Sequence, residues 1–376
     1  MNITFSEEQE MWRTTARRFL ARECPPTLVR EIMKDERGYS PELWQRMADA
    51  GWLGLNIPET YGGTGGSFVN LTLLFEEMGR ACLPSPFFST VLAASLVVSE
   101  GTSEQKRELL PRIATGRMIS TLALTEPGSR YDSDSIDTTA SPDGPNGYII
   151  NGTKLFVSDA NVADDIICVA RNRNAASERD GLTLFLVDTR SQGVSCTLLN
   201  TLADRQCEVV FEAVKVPANN ILGKLDRGWE QLEMALRAAT VGKCAEMVGA
   251  AQQILEMTVS YAKERIQFDR RIGSFQAVQH HCANMAVDVD ASRLITYQAA
   301  WKIQEGLPCV KEVAMAKAWV NEACRRVSAL GHQVHGAIGF TWDHDLHLYT
   351  KRIKMAESIH GDADFHREQV AEELGL

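Results

Sequence analysis

Two changes in hydrophobic periodicity, near residues 119 and 227, divide the 376-residue chain into a helical block, a strand-rich block and a second helical block. Ser6 stands as an N-cap ahead of Glu7 and Glu8, and Met11, Ala16, Phe19 and Leu20 follow at helical intervals. A second helix is predicted over 41–50, closed by Gly51, and the glycine-rich stretch 54–66 reads as a loop. Helical spacing returns over about 69–80 and again over 88–113. The stretch 121–125 then reads as a strand stopped by Glu126-Pro127-Gly128. Tyr148-Ile149-Ile150 and Leu155-Phe156-Val157 flank Asn151-Gly152, the dipeptide of a tight hairpin, so a turn is predicted there. Residues 165–170, 182–187 and 209–211 continue the β pattern. From Trp229 onward, helices are predicted over about 228–264, 275–304 and 311–330, with a glycine-containing turn at 336–339. The expected organisation is a mainly α chain with a central, mostly antiparallel β-domain, divided as 1–118, 119–226 and 227–376.

Charge and cysteine usage exclude several classes. A formal net charge of −10 argues against a nucleic-acid partner, since phosphate binding wants a basic face. No apolar run approaches the roughly 20 residues that span a bilayer, and the charged N-terminal stretch lacks the apolar core of a signal peptide. Nine dispersed cysteines without a CxxC pair read as reduced thiols of a cytoplasmic protein, not as disulfides or a zinc site. His332/His335 and His344/His347 lack a carboxylate or cysteine at metal-ligand spacing and read as structural histidines. There is no GxGxxG after a strand, no P-loop and no GxSxG. Motif physics alone leaves an α/β/α protein with no assigned chemistry.

Five strings, in order, carry a resemblance that covers nearly the whole chain. They are Leu53-Gly54-Leu55-Asn56-Ile57-Pro58-Glu59-Thr60-Tyr61-Gly62-Gly63, Ala123-Leu124-Thr125-Glu126-Pro127-Gly128, and Val216-Pro217 with Asn220-Ile221-Leu222-Gly223 and Gly228-Trp229. Tyr261-Ala262-Lys263-Glu264-Arg265-Ile266-Gln267-Phe268 with Ile272-Gly273-Ser274-Phe275-Gln276-Ala277 is the most diagnostic, followed by Gln333-Val334-His335-Gly336-Ala337-Ile338-Gly339-Phe340. Together they resemble the acyl-CoA dehydrogenase family. The resemblance implies an N-terminal helical domain, a small central β-barrel and a C-terminal four-helix bundle. It also implies FAD between barrel and bundle, and a tetramer in which a second subunit adds to each site.

Carried over residue by residue, it implies that Leu122 and Thr125 face the flavin ring while Phe156 and Ser158 cover its other side. Arg265, Gln267 and Phe268 would reach the diphosphate of a neighbouring subunit's FAD, and Gln276, Gln333 and Gly336 would hold the adenosine end. The residue types suit those roles, because a guanidinium pairs with a diphosphate and glycine lets backbone approach closely. Taken singly, Phe156 reads equally as β-core, Arg265 as a solvated helix end and Gly336 as a helix stop.

The likeness breaks at the catalytic base. Members usually carry a glutamate before a glycine near the C-terminus, and here that place is His360, in Ser358-Ile359-His360-Gly361-Asp362. Others carry it on the first bundle helix, where this chain has Ala239 followed by Thr240. Asp362 stands where an uncharged cofactor contact is expected, and Ser129-Arg130-Tyr131-Asp132 replaces the usual continuation after Gly128. His360 could itself be the base, an ordinary imidazole titrating near pH 6.5. Glu246 lies two turns beyond Ala239 on the same helix face, about 10 Å away. The chain could instead be the degenerate half of a heteromeric enzyme, or run another acyl-CoA chemistry. The expected function is FAD-dependent α,β-dehydrogenation of an acyl-CoA thioester, coupled to an electron-transfer flavoprotein.

Overall fold

A computed structural model describes residues 5–128, 131–172 and 181–376. The N-terminal helices are α1 (Glu7–Glu23), α2 (Pro26–Ile32), α3 (Pro41–Asp49), α4 (Phe68–Arg80), α5 (Phe87–Glu100) and α6 (Ser103–Ala114). Strands follow as β1 (Ser120–Ala123), β2 (Thr139–Pro142), β3 (Gly147–Ser158), β4 (Asp165–Asn172), β5 (Leu182–Asp188), β6 (Val194–Leu198), β7 (Gln206–Pro217) and β8 (Ile221–Leu222). The C-terminal part holds α7 (Gly228–Glu264), a short pair β9 (Ile266–Gln267) and β10 (Arg270–Arg271), then α8 (Gln276–Gln304), α9 (Val310–His335), α10 (Leu346–Ala356) and α11 (Ala363–Glu373). The chain forms two compact units. One comprises Met1–Glu31, Ser67–Leu83 and Arg237–Leu376, the other Ile32–Gly66 and Pro84–Leu236.

Local chemistry fixes the helix ends. Ser6 and Gln9 form a reciprocal capping box on α1, and Thr102 and Gln105 form another on α6, each satisfying two orphan N–H groups. In the first unit α4 is buried along most of its length, so its two adjacent carboxylates are paired internally. Glu76 accepts from Arg293 Nε at 2.9 Å and from the Tyr297 hydroxyl at 2.8 Å; Glu77 accepts two bonds from Arg17, at 2.9 and 2.6 Å. Two glycines bring α4 and α7 backbone to backbone. A Cβ on Gly79 would lie 2.0 Å from the Glu246 carbonyl, and one on Gly249 would lie 1.8 Å from the Glu76 carbonyl.

In the second unit the strands form one eight-stranded sheet in the order β6-β7-β3-β2-β4-β5-β8, with β1 added parallel to β4. The path runs open from β6 to β8 among the described residues, whereas the sequence reading expected a barrel. Its inner face packs Ile150, Ile166, Cys168, Phe185, Val209 and Phe211 into one apolar core. The hairpin expected at Asn151-Gly152 does not form, because β3 runs unbroken through it. Gly152 instead marks a register shift against β7, and the space a Cβ would take is filled by Thr138, 2.3 Å away. The Asn151 side-chain oxygen accepts from the Ala213 N–H at 2.8 Å and so stitches the bulge.

One buried carboxyl leaves a testable trace. Asp165, at the start of β4, is 8% exposed and bonds the Ser120 hydroxyl, with Asp164 and Asp188 nearby. Burial pushes it up to about 6, against the Ser120 bond, which favours its charged form. The folded state therefore binds this proton more tightly than the unfolded chain, and stability falls as pH rises from about 4 through 6. Asp165→Asn should raise chemical-denaturation stability at pH 8 by about 2 kcal/mol and leave it nearly unchanged at pH 4. An equal effect at both pH values contradicts this.

Candidate functional site

In the second unit, the edge formed by β1 and β3 brings together Leu122, Thr125, Phe156 and Ser158. Leu122 pairs with Ile167 of β4, and Thr125 lies two residues beyond the end of β1. The Leu155 N–H donates to the Thr125 carbonyl at 2.8 Å, and the Thr121 hydroxyl donates to the Ser158 carbonyl at 2.6 Å. Pairing of β3 with β7 lapses between Lys154 and Val157. In that gap Phe156 takes φ +55° and leaves 54% of its surface exposed, so it is not β-core. A bulky residue in the left-handed region is costly and persists where its surroundings hold it.

In the first unit Arg265, Gln267 and Phe268 lie on the short β9–β10 hairpin, where Gln267 faces Arg270 and Ile266 faces Arg271. Phe268 and Asp269 form its tip at φ +56° and +61°, the conformation for which asparagine and glycine are normally chosen. Phe268 is 85% exposed, and its ring meets Phe275 edge-on at 6.0 Å; Arg270 lies over Phe275 at 3.9 Å. Gln276 is exposed at the first position of α8.

The hairpin is tied to the glycine turn through Tyr261. Its carbonyl accepts from the Arg265 N–H at 2.8 Å, and its ring stacks on His335 at 4.6 Å. His335 is the last residue of α9, and Gly336 after it takes φ +66° with nothing within 4 Å of the place a Cβ would occupy. Gln333 and Gly336 line a cleft of about 620 Å³ together with Arg325, Ser328, His332 and Lys354. The buried Ser328 Oγ and His332 Nδ1 have no hydrogen-bond partner among the described residues. His332 stacks on Phe340 at 4.4 Å and His335 meets His344 at 4.7 Å, so these rings serve as packed aromatics. Burial keeps His332, His335, His344 and His347 below the ordinary imidazole range.

His360 lies between α10 and α11 at φ +58°, and its setting differs from that of an ordinary imidazole. Burial comes first, then the charges of Lys243, Lys317 and His366, and together they hold it down at about 3. Lys317 has no exposed surface; its Nζ donates to the Ala356 carbonyl at 2.6 Å, and burial lowers it to about 8. One turn on, Asn321 donates to the Glu357 carbonyl at 2.9 Å, so α9 clamps the C-terminal end of α10. Ala239 is buried, and Glu246 pairs with Lys243. Asp362 is the N-cap of α11, accepting from the Phe365 N–H at 2.9 Å. Ser129 and Arg130 lie outside the described residues.

The whole chain matches known proteins. Its three parts match family models described as "Acyl-CoA dehydrogenase, N-terminal domain" over residues 6–117, "middle domain" over 121–214 and "C-terminal domain" over 226–375. The chain belongs to the acyl-CoA dehydrogenase family. It is 32% identical to an acryloyl-CoA reductase (NADH) of Anaerotignum propionicum, over 100% of this chain and 96% of that one. It is 33% identical to the caffeyl-CoA reductase-Etf complex subunit CarC of Acetobacterium woodii, over 89% and 90%. A crystal structure of acyl-CoA dehydrogenase from Geobacillus kaustophilus superposes with a TM-score of 0.92 at 30% identity, covering 99% of each chain. Members of this family are FAD-dependent flavoprotein oxidoreductases.

Sequence reasoning missed Lys154, Lys243, Lys317 and His366. The first and third carried a readable signal. Lys154 shares the inward face of β3 with Ile150, and Lys317 sits in the apolar stripe of α9 with Val313, Val320 and Cys324. His366 is buried, with Nε2 2.9 Å from the His360 carbonyl and Nδ1 3.0 Å from Gln369 Oε1; burial lowers it to about 4. The folded state thus takes up this proton less readily than the unfolded chain, and stability falls as pH drops from about 6.5 toward 4. His366→Gln should remove about 2 kcal/mol of the stability lost between pH 7 and pH 5 in urea unfolding. An unchanged loss contradicts this assignment.

Proposed function

We propose that this chain binds FAD and serves the α,β-dehydrogenation of an acyl-CoA thioester, with an electron-transfer flavoprotein as acceptor, in a homo- or heterotetramer. The observation that carries the reading is the pair Phe156 and Phe268. Both correspond to cofactor contacts of the family, and both are exposed phenylalanines in left-handed backbone. Large apolar side chains held out in a strained conformation fit contact with a bound partner better than they fit solvent.

The donor set fits the cofactor. Leu122 and Thr125 would meet the flavin ring, with Phe156 and Ser158 against it, and Arg265 and Gln267 carry the cation and amide a diphosphate needs. Gln276, Gln333 and the open face of Gly336 suit an adenosine, and the orphaned Ser328 and His332 atoms offer further polar contacts in the cleft. When bound, FAD accepts the hydride that leaves the β-carbon of the acyl chain. The protein's remaining task is to remove the α-proton. CarC, named for a complex with Etf, supports the choice of acceptor.

A second reading concerns that proton. An imidazole held near 3 by burial first, and then by Lys243, Lys317 and His366, is a poor acceptor for an α-proton, because protonating it buries a further positive charge. Ala239 carries no carboxylate, and Glu246 is engaged by Lys243. These surroundings favour a base supplied by a second, glutamate-bearing chain. The cofactor reading is tested by Arg265→Ala, measured as FAD retained per protein after purification and as the Kd for added FAD. We expect retention to fall and Kd to rise by about tenfold, the loss of one charge-assisted pair. Unchanged values remove Arg265 from the site.

A further inference from the structure

Lys154 and Glu126 are both almost fully buried, with side chains 0% and 4% exposed and Nζ–Oε1 at 2.5 Å. Their other bonds run to Leu124, next to Thr125, and to the 137–138 segment that leads into β2. Lys154 Nζ also donates to the Leu124 carbonyl at 3.2 Å. Glu126 accepts from the Asp137 N–H at 2.7 Å and the Thr138 N–H at 3.0 Å. The next residue after Lys154, Leu155, donates to the Thr125 carbonyl in the stretch where β3 leaves its pairing with β7. Burial alone would raise the Glu126 carboxyl, but the Lys154 charge and the bonds from Lys154, Thr138 and Asp137 hold it below its ordinary value.

From this arrangement we infer that the Lys154–Glu126 pair is a positioning strap for the cofactor-facing edge of the β unit. It joins the end of β1 to the β3 bulge and holds Phe156 in its left-handed conformation. The inference rests on the proposed FAD binding and adds two residues that touch no cofactor to the set that determines its affinity. A buried ion pair is a poor source of net stability, since desolvation cancels most of the attraction, whereas it fixes geometry well. The charges are therefore dispensable for folding and needed for position.

The test compares the full-length wild type with Lys154→Met and with the double variant Glu126→Gln/Lys154→Met, which leaves no charge buried alone. Three quantities are read: the unfolding midpoint, amide hydrogen exchange over residues 153–158, and FAD affinity from quenching of flavin fluorescence. We expect the double variant to keep a midpoint close to wild type while its 155–156 amides exchange at least tenfold faster. Exchange at 167–170 of β4 should not change. FAD affinity should fall at least tenfold, with a blurred visible spectrum. A double variant with wild-type exchange, or with faster exchange and unchanged FAD affinity, overturns the inference. A wild type that binds no FAD overturns the functional reading instead, and is told apart because in the former case both proteins bind.

Discussion

Lys154 and Lys317, two lysines without exposed surface, impose the constraint on which both parts of the candidate site depend. An ammonium group removed from water must find charge or dipole inside the protein. Lys154 finds a carboxylate, and the bonds radiating from that pair organise the end of β1 and the bulge of β3. Lys317 finds the carbonyl end of α10, where helix dipoles leave partial negative charge. The first arrangement shapes the face that presents Thr125 and Phe156. The second locates the turn that carries His360 and makes its surroundings cationic.

The cationic surroundings change what the His360 substitution means. A carboxylate at that place would be drawn toward Lys243 and Lys317 and lose basicity, as nearby cations lower carboxylate pKa values. An imidazole there stays neutral, held near 3. Burial, and after it the charge of Lys317, lowers His366, whose ring bonds the His360 carbonyl and so fixes the turn. Phe156 and Phe268, the residues proposed to meet the cofactor, are kept in costly conformations, at φ +55° and +56°.

Much of this fold is legible in the sequence because caps and periodicity agree. Ser6 starts α1 as its spacing implies, and the long apolar repeat of α7 runs to Glu264. The Asn151-Gly152 reading failed because the turn signal is local, while the strand is held by β2, just before it in sequence, on one side and by the distant β7 on the other. Gly152 was needed for the approach of Thr138, not for a turn. At the site, Arg265, Phe268, Gln333 and Gly336 could be picked out by resemblance. The state of His360 could not, since it depends first on its burial and then on charges 117 and 43 positions away in sequence, at Lys243 and Lys317. Asp362, odd as a cofactor contact, is plain as a helix cap once α11 is seen to begin after it.

We propose that this chain keeps the flavin cradle of its family without a base of its own. The most direct test is an anaerobic titration of the purified, FAD-loaded chain with a panel of acyl-CoA thioesters, followed by the visible absorbance of the flavin. The titration is run on the chain alone and then beside a glutamate-bearing homologous chain. We expect a flavin that stays oxidised in the chain alone and bleaches when the second chain is present. Bleaching by the isolated chain that disappears in His360→Ala would contradict it and make His360 the base.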